Sequence, residues 1–231
     1  MVKRSIPELK EMGMIKNIRQ VAHKGLIGKE ITYSDIPRMT EVFAKRHQFF
    51  TIEKGWVEEI HTMPGLETDK YDSYAIHLGV YYNLTLVGYM RLLPWNPKIG
   101  FMLDESFSPL LPENVRQELP RERSAEISRL LIISGGKDEI LSAARRFRVL
   151  ETLYKLFYRT AKQRELEYFY MESEPAWLKG FNQMFAFGFE AICEPYTFPD
   201  MTQVVIAESN IHRMERTLRE ADPEQFAWYI S

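Results

Sequence analysis

The sequence predicts an α/β domain built on a mixed sheet that helices cover on both faces. Two observations carry this prediction. Strand-like segments alternate with amphipathic helical segments along most of the 231 residues. Two of the strands, over residues 74–82 and 85–93, are separated only by Asn83-Leu84, which predicts an antiparallel hairpin within the sheet. No repeat, low-complexity tract or linker-like segment divides the chain.

The composition is that of an ordinary soluble globular protein, with 45% hydrophobic and 27% charged residues. A net charge of −2 gives no argument for binding nucleic acid or a membrane surface, and no apolar run approaches a membrane span. The first residues lack the apolar core of a signal peptide. The single cysteine, Cys193, excludes an internal disulfide framework and is expected to be a buried strand residue. We therefore expect a cytoplasmic protein, and five scattered histidines predict no metal site.

The first half of the chain begins with an arm or short helix and a strand near residues 26–33. Ser34-Asp35 offers a capping side chain and Pro37 fits a first turn, so a helix starts here. It is expected to run to about residue 53 and to end at Gly55. An acidic loop over 57–72 leads into the hairpin, and a proline-rich irregular stretch with short helical pieces follows.

The second half opens on an apolar strand over residues 126–133. A long helix over 137–164 should bury one stripe at helical spacing, formed by Phe147, Leu150, Leu153, Tyr154, Phe157 and Ala161. A strand over 167–171, a helix over 175–185 and strands over 188–193 and 202–207 come next. A last helix over 208–220 precedes a tail that ends in Trp228-Tyr229.

Two opposite charges, Glu126 and Arg129, stand three positions apart at the entrance of the strand over 126–133. A regular strand would put them on opposite faces. If both serve one site, the strand must bulge or twist between them, as strands often do beside active sites. The alternative is a solvated ion pair at the end of a strand. Arg91 raises the same question, because a charge in its apolar run must be paired or must reach water.

Several of these residues belong to a longer series that resembles the acyl-homoserine-lactone synthases of bacterial quorum sensing. The series occurs in the family's order at nearly its spacing: Arg46-His47-Gln48-Phe49-Phe50, Trp56, Glu67-Thr68-Asp69-Lys70-Tyr71-Asp72, Arg91-Leu92-Leu93-Pro94, Phe107 and Glu126-Ile127-Ser128-Arg129. No single piece is specific, but the whole series is. It departs from the family at Trp95, where threonine is usual, and in about two extra residues between Pro94 and Met102.

The resemblance implies an N-acetyltransferase-like (GNAT-like) α/β/α sandwich around a mixed, mostly antiparallel twisted sheet. It also implies one acyltransferase domain over 1–231, with an N-terminal arm over 1–33. Residues 34–133 would bind S-adenosylmethionine and carry the catalytic residues, and 134–231 would hold the acyl chain and its carrier. The enzyme would transfer an acyl group from acyl carrier protein or coenzyme A to the methionine amine. Lactonisation would then release methylthioadenosine, and no cofactor is needed because both partners are substrates.

The resemblance also assigns roles to individual residues. The predicted catalytic residues are Glu126, Arg129 and Asp72, with Glu126 as the base that deprotonates the ammonium. Asp69 and Asp72 would hold the ammonium, and Arg46 or Arg129 would hold the carboxylate. Phe50 and Trp56 would pack on the adenine or the sulfonium. The predicted S-adenosylmethionine-binding set is Arg46, Phe50, Trp56, Asp69, Asp72, Arg91, Phe107 and Arg129.

A basic stretch within the predicted long helix is relevant to the acyl donor. Arg145, Arg146 and Arg148 begin a series of seven basic residues and one acid between 145 and 164. This is either a solvated helix face or a docking surface for an acidic acyl carrier protein or for coenzyme A phosphates.

Two other functions remain open for this sequence. A related N-acyltransferase on the same fold, such as an N-acyl amino acid synthase or an exosortase-associated acyltransferase, would share the acidic loop and the Glu-x-Ser-Arg strand. Arg46, Phe50 and Trp56 favour the sulfonium substrate over that alternative. A non-catalytic module of the same fold would have lost Glu126 or the aspartates.

Overall fold

The computed structural model describes residues 25–58, 63–105, 111–133, 143–198 and 201–231. Its strands in this part of the chain are β1 (Leu26–Ile31), β2 (Ile76–Tyr82), β3 (Thr85–Pro94), β4 (Ser124–Ile132), β5 (Tyr168–Ser173), β6 (Glu190–Ala191), β7 (Tyr196–Thr197) and β8 (Gln203–Asn210). Its helices are α1 (Ile36–Arg46), α2 (Met102–Glu105), α3 (Glu113–Glu118), α4 (Ala143–Gln163), α5 (Pro175–Phe185), α6 (Ile211–Ala221) and α7 (Pro223–Ile230).

The strands form a sheet in the order β1-β2-β3-β4-β5-β8-β6, with β7 paired to β8. The pairs β1–β2, β2–β3, β5–β8, β6–β8 and β7–β8 are antiparallel, whereas β4 and β5 are parallel. The prediction of a mixed, mostly antiparallel sheet is therefore confirmed. No helix among the described residues is both long enough and apolar enough to cross a membrane.

The described residues fall into two compact units. The first unit contains the described parts of 12–92 and 129–157, and the second contains those of 93–128 and 158–231. Both β4 and α4 contribute residues to each unit. The predicted functional halves of the chain stay a prediction.

The first unit begins with β1 and the helix that the sequence predicted at Asp35. The Asp35 side chain accepts a hydrogen bond from the Arg38 N–H at 3.4 Å, and Pro37 lies in the first turn. The α-helix ends at Arg46, and a π-helical segment, His47–Glu53, continues it to the predicted end before Gly55, whose φ is +65°. The core of this unit is apolar and includes Val42, Phe50, Leu86, Tyr89 and Leu131.

Helix α4 packs against the sheet of the first unit at an unusually close distance. A Cβ added to Gly88 would lie 2.3 Å from the Val149 side chain, so this strand position needs glycine. The predicted buried stripe is confirmed, since Phe147, Leu153, Tyr154, Phe157 and Ala161 are buried and Leu150 is half-buried. The predicted start of this helix, over 137–142, lies outside the described residues.

Strand β4 is irregular at Arg129, whose φ of +52° lies in the left-handed region. Trp95 donates to the Ser124 carbonyl at 2.9 Å, and Ile133 donates to the Val87 carbonyl at 3.0 Å. These bonds show that β3 and β4 are antiparallel and that their register changes by one residue between the two points. The irregularity predicted for this strand is confirmed, and it occurs at Arg129.

The second unit differs from the prediction in its tail, in the strand expected over 188–193 and in β7, which was not predicted. The tail expected after α6 is a helix, α7, which Asp222 caps by accepting the Gln225 N–H at 2.9 Å and which Pro223 begins. The strand predicted over 188–193 is reduced to β6, because only Glu190–Ala191 pair with β8. Cys193 lies beyond β6 and is half-buried, and its sulfur accepts the Ile206 N–H at 3.2 Å.

Candidate active site

A cluster of buried ion pairs lies in the first unit. It joins three arginines with three carboxylates, and we call it the ion-pair cluster: Arg46, Arg91, Arg129, Glu67, Asp69 and Asp72. All but Glu67 were predicted as site residues, and the structure brings the predicted five together. With every member ionised the charges balance, which reduces the free-energy cost of burying them.

Arg46 is the last residue of α1 and is completely buried. Its Nε donates to Glu67, and its Nη1 lies 2.6 Å from Asp72 Oδ1. Its Nη2 has no hydrogen-bond partner within the described residues and lies 3.8 Å from Asp69. A buried guanidinium is strongly unfavourable unless it is paired, so these carboxylates explain how a helix can end on a buried arginine.

Arg91 is the charge that stands in the apolar run of β3. It is completely buried, so the alternative of a strand residue facing solvent is wrong. Its Nη1 donates to both Asp69 oxygens, at 2.6 and 2.7 Å, and to Asp72 Oδ1 at 2.9 Å. Asp72 Oδ1 therefore accepts from Arg46 and Arg91 together and connects the two buried arginines.

Arg129 is the most accessible of the three arginines in the ion-pair cluster. Its Nε and Nη2 donate to Glu67 Oε1 at 3.1 and 2.9 Å, and Nη2 lies 3.4 Å from Asp69. Its side chain is 15% exposed, whereas those of Arg46 and Arg91 are fully buried. A ligand from solvent would thus meet Arg129 before the other two arginines.

The acidic loop is shaped by its own aspartates. Asp72 Oδ2 accepts the Asp69 N–H at 2.8 Å, and Asp69 Oδ1 accepts the Tyr71 N–H at 2.9 Å. Asp72 thus uses one carboxylate oxygen for the backbone of the loop and the other for two arginines. These bonds fix the direction of both carboxylates before any ligand binds.

His77 on β2 and Tyr89 on β3 support the turn at Asp72. His77 Nε2 lies 2.8 Å from the Asp72 carbonyl oxygen, which can only accept, so Nε2 carries the proton. Nδ1 is then the acceptor, and the Tyr89 hydroxyl donates to it at 2.7 Å. Both side chains are buried, so the neutral imidazole with its proton on Nε2 is the form that satisfies these partners.

The ion-pair cluster lowers the pKa of two of its carboxyls, Glu67 and Asp69. Burial acts to raise the pKa of Glu67, but the charges of Arg46 and Arg129 outweigh it and hold that pKa below its ordinary value. Asp69 behaves in the same way, since burial opposes and Arg91 chiefly causes the lowered pKa of its carboxyl. Burial lowers the pKa of His77, in agreement with its neutral form. Both carboxyls are therefore ionised at neutral pH and His77 is uncharged.

An aromatic surface lies beside Arg129. The Arg129 guanidinium lies 5.5 Å from the centre of the Phe50 ring, and the Phe50 and Trp56 rings are 6.3 Å apart. Phe50 is buried, but Trp56 is 50% exposed. The chain between Phe50 and Trp56 turns back on itself, and this turn is fixed because the Phe50 carbonyl accepts the N–H groups of Trp56 and Val57, at 2.9 and 3.3 Å. The predicted site residues Phe50 and Trp56 thus form a partly open π surface next to a charged group.

Glu126, the predicted base, lies in the second unit and is completely buried. Its Oε2 accepts the Leu103 N–H of α2 at 3.3 Å. Leu103 is also completely buried. The joint action of Glu126 and Arg129 on one substrate stays a prediction. Phe107, another predicted site residue, lies outside the described residues.

The predicted docking residues on α4 differ in exposure. Arg145 and Arg146 are half-buried, and the Arg145 guanidinium lies over the Tyr82 ring at 4.5 Å. Arg148 is completely buried and pairs with the buried Glu151 at 2.7 Å. The assignment of Arg148 to a docking surface is therefore wrong, because a partner cannot reach it.

Three residues of this site were not assigned a role from the sequence. Glu67 belongs to the acidic motif over 67–72, and its place two positions before Asp69 is a usable signal. Tyr89 is of a residue type common in strands, and His77 stands in its strand segment without a neighbouring motif, so no local pattern distinguishes them.

Comparison with known proteins identifies the architecture. Residues 46–138 match the family model of the acetyltransferase (GNAT) domain. The solved structure of the CoA-dependent acyl-homoserine lactone synthase BjaI, with SAM and isopentyl-CoA, aligns with a TM-score of 0.67 and 22% identity, over 87% of this chain and 90% of that one. The chain has the GNAT fold. The fold class predicted from the sequence is confirmed.

Other proteins with the GNAT fold are similar as well. The acyl-homoserine-lactone synthase LasI aligns with a TM-score of 0.63 and 17% identity, over 84% of this chain and 95% of that one. FeeM, an N-acyl amino acid synthase from uncultured soil microbes, aligns with a TM-score of 0.60 and 11% identity, over 85% and 97%. No curated protein matches the chain. The resemblance to acyl-homoserine-lactone synthases is confirmed for the fold, and the GNAT match supports an acyltransferase.

Proposed function

We propose that the chain is an acyl-homoserine-lactone synthase. The observation that carries the proposal is the ion-pair cluster with the Phe50–Trp56 surface beside its most accessible arginine, Arg129. S-Adenosylmethionine has an ammonium, a carboxylate and a sulfonium, so its site needs acidic, basic and aromatic groups together. Arg129 and Asp69 are the partly exposed members of the cluster, with side chains 15% and 17% exposed. Their exposure supports Arg129 as the carboxylate ligand and Asp69 as the ammonium ligand.

The buried members of the cluster would act as positioning residues. Arg46, Arg91 and Asp72 hold one another and the acidic loop, and they leave little surface for a substrate. Their role would be to keep Arg129 and Asp69, the two partly exposed members, in a fixed geometry before binding, which limits the reorganisation needed for catalysis. This role would replace the direct contacts with S-adenosylmethionine predicted for Arg46, Arg91 and Asp72, and the catalytic role predicted for Asp72.

Trp56 and Phe50 would contact the sulfonium or the adenine. A cation over an aromatic face gains about 0.5–2 kcal/mol, depending on how well it is desolvated. Trp56 is half exposed and can accept such a group, while the buried Phe50 ring supports both Trp56 and Arg129.

Acyl transfer would begin with removal of a proton from the substrate ammonium, because only the free amine attacks a thioester. Glu126 is the proposed base, directly or through one water. The amine nitrogen then bonds to the acyl carbon, the carbon–sulfur bond of the thioester breaks, and the thiol leaves on its carrier. The left-handed φ at Arg129 supports a backbone N–H on β4 as donor to the developing oxyanion.

Lactonisation would follow without a further catalytic group. The methionine carboxylate attacks its own γ-carbon, the bond from that carbon to the sulfonium breaks, and methylthioadenosine leaves with the electron pair. The sulfonium is already a good leaving group, so the protein must mainly hold the carboxylate in line with the carbon. Arg129 is the proposed holder.

The acyl donor would be an acyl carrier protein or an acyl-coenzyme A. Arg145 and Arg146 are the accessible part of the predicted docking residues on α4, and their charge would complement an acidic carrier or the coenzyme phosphates.

The deciding experiment incubates purified protein with S-adenosylmethionine and a panel of acyl carrier protein and coenzyme A thioesters from short to long. Mass spectrometry is expected to detect methylthioadenosine and an acyl-homoserine lactone in equal amounts. A parallel series replaces S-adenosylmethionine with free amino acids. Acylated amino acids without any lactone would instead identify an N-acyl amino acid synthase, and the absence of every product would overturn both functions.

A further inference from the structure

The second unit contains a group of side chains around α2 that the proposed function does not use. The Arg121 guanidinium forms a two-pronged pair with Asp104, with Nη1 to Oδ2 at 2.9 Å and Nη2 to Oδ1 at 2.8 Å. Its carbon lies 4.9 Å from the Trp95 ring centre and 5.5 Å from that of Phe101. The guanidinium thus contacts two aromatic rings and is held by a carboxylate, a geometry that lysine cannot reproduce.

Asp104 belongs to the short helix that binds Glu126. Helix α2 has only four residues, Met102–Glu105, so it cannot be stable by its own hydrogen bonds. Asp104 Oδ2 accepts the Phe101 N–H at 3.1 Å, which closes the start of this turn. The Leu103 N–H in the same turn donates to Glu126 Oε2 at 3.3 Å. An interaction that fixes Asp104 therefore also fixes the Leu103 N–H, which donates to Glu126.

The backbone of Arg121 is tied to the strand that carries Glu126. The Ser124 N–H donates to the Arg121 carbonyl at 3.3 Å, and the Ser124 hydroxyl donates to the same oxygen. The Trp95 N–H donates to the Ser124 carbonyl at 2.9 Å. Arg121 thus connects the start of β4, two residues before Glu126, with α2. Trp95, where the resembling family usually has threonine, supplies one of the two rings against the guanidinium.

We propose that Arg121 and Asp104 are positioning residues for Glu126, with Trp95 as the aromatic support of Arg121. The pair holds α2 so that the Leu103 N–H stays on one carboxylate oxygen of Glu126 and fixes the direction of the other. The catalytic part of this inference rests on the proposed function, in which Glu126 is the base. The anchoring part rests on the contacts alone.

The test compares the wild type with Arg121→Gln, Asp104→Asn and Arg121→Lys. The matched control is Arg123→Gln, which removes a partly exposed pair with Glu167 and a hydrogen bond to the Glu165 carbonyl in the same unit. Hydrogen exchange of the Leu103 amide is followed by mass spectrometry on peptides covering 101–105. We expect exchange to be about tenfold faster in Arg121→Gln and Asp104→Asn, intermediate in Arg121→Lys and unchanged in Arg123→Gln.

Kinetics on the same proteins provides the second readout. The kcat for acyl transfer should fall about tenfold in Arg121→Gln, with the KM for S-adenosylmethionine within about twofold of the wild type. Arg121→Lys should recover part of kcat. Unchanged exchange in both Arg121→Gln and Asp104→Asn overturns the anchoring, and faster exchange with unchanged kcat overturns the positioning role. A wild type that acylates no acceptor contradicts the proposed function, and the exchange rates still decide the anchoring.

Discussion

Glu67 Oε1 lies 2.9 Å from Nη2 of Arg129, a residue 62 positions further along the chain. The other oxygen of Glu67 accepts from Arg46, so one carboxylate joins the end of α1 to β4. We expect Glu67→Gln to lower the free energy of unfolding by about 3–5 kcal/mol, because Arg46 and Arg129 each lose one of their charged partners. Urea denaturation at neutral pH measures this loss.

The matched control for that change is Glu113→Gln, which removes the pair between Glu113 and Arg116 on α3. The Glu113 side chain is 61% exposed, so its loss should cost at most about 1 kcal/mol. Equal losses of unfolding free energy in Glu67→Gln and Glu113→Gln would mean that the buried pairs of Glu67 contribute no more to stability than the surface pair of Glu113.

His77 should make stability depend on pH below neutrality. Burial lowers the pKa of His77 from 6.5, so the folded protein binds this proton less readily than the unfolded chain. Its contribution is therefore complete at about one pH unit above 6.5 and is lost as the pH falls through 6.5 and below. We expect the stability difference between the wild type and His77→Gln to shrink between about pH 7.5 and about pH 5.5.

Nitrogen-15 spectra of the His77 ring provide a direct check. Above neutrality they should show the neutral form protonated on Nε2, and Tyr89→Phe should alter the Nδ1 shift because it removes the donor to that atom. A stability difference that grows on acidification, or a ring protonated on Nδ1, would contradict the assigned hydrogen bonds.

Glu126→Gln should slow acyl transfer by about 10²–10⁴-fold while the Kd for S-adenosylmethionine changes little. The amide cannot accept the ammonium proton, but it is similar in size and can still accept the Leu103 N–H. Single-turnover rates and equilibrium binding separate the two effects. The exposed Glu122→Gln serves as control. Parallel losses of rate and binding would show that Glu126 holds the substrate instead of acting as its base.

Trp56→Leu should raise the KM for S-adenosylmethionine about five- to tenfold with little change in kcat, because an exposed aromatic face contributes to binding. Tryptophan fluorescence should report the binding in the wild type, and Trp228→Phe should keep that response. An unchanged KM in Trp56→Leu, or a fluorescence response that disappears with Trp228, would remove Trp56 from the substrate site.

Charge reversal on α4 tests the donor. The double variant Arg145→Glu and Arg146→Glu should raise the KM for acyl carrier protein thioesters about tenfold and more strongly at low salt. The exposed Arg159→Glu on the same helix is the control. A larger effect on coenzyme A thioesters would favour coenzyme recognition, and no effect on either donor would remove docking from this part of α4.

Local signals predicted much of the fold. Asp35 and Pro37 marked the start of α1, Asn83-Leu84 marked the hairpin, and the spacing of Glu126 and Arg129 indicated the irregular strand. The same cap and proline signal at Asp222-Pro223 marks α7, so the expected tail was an error of interpretation and not a missing signal. The π-helical end of the first helix had no such signal, because it depends on which carbonyl each N–H selects.

The candidate site was only partly predictable, for a physical reason. Its residue types followed from the resemblance, but their pairing joins positions distant in sequence, such as Arg46 with Glu67. The charge of Arg148 also did not reveal that its side chain is buried. That burial depends on the elements packed around α4 and on the partner Glu151. Helical periodicity describes one apolar stripe and does not identify a charged side chain enclosed by tertiary packing.

The backbone conformation at position 129 and the ion pairs of its side chain favour different residue types. The backbone there favours glycine or asparagine, and a side chain with a Cβ costs about 1 kcal/mol or more. The ion pairs with Glu67 and Asp69 require a guanidinium. Breaking a buried ion pair costs about 3–5 kcal/mol, which exceeds the backbone strain, so stability alone retains arginine at this position. A change at Arg129 in a descendant of this protein would therefore need a compensating change at Glu67 or Asp69.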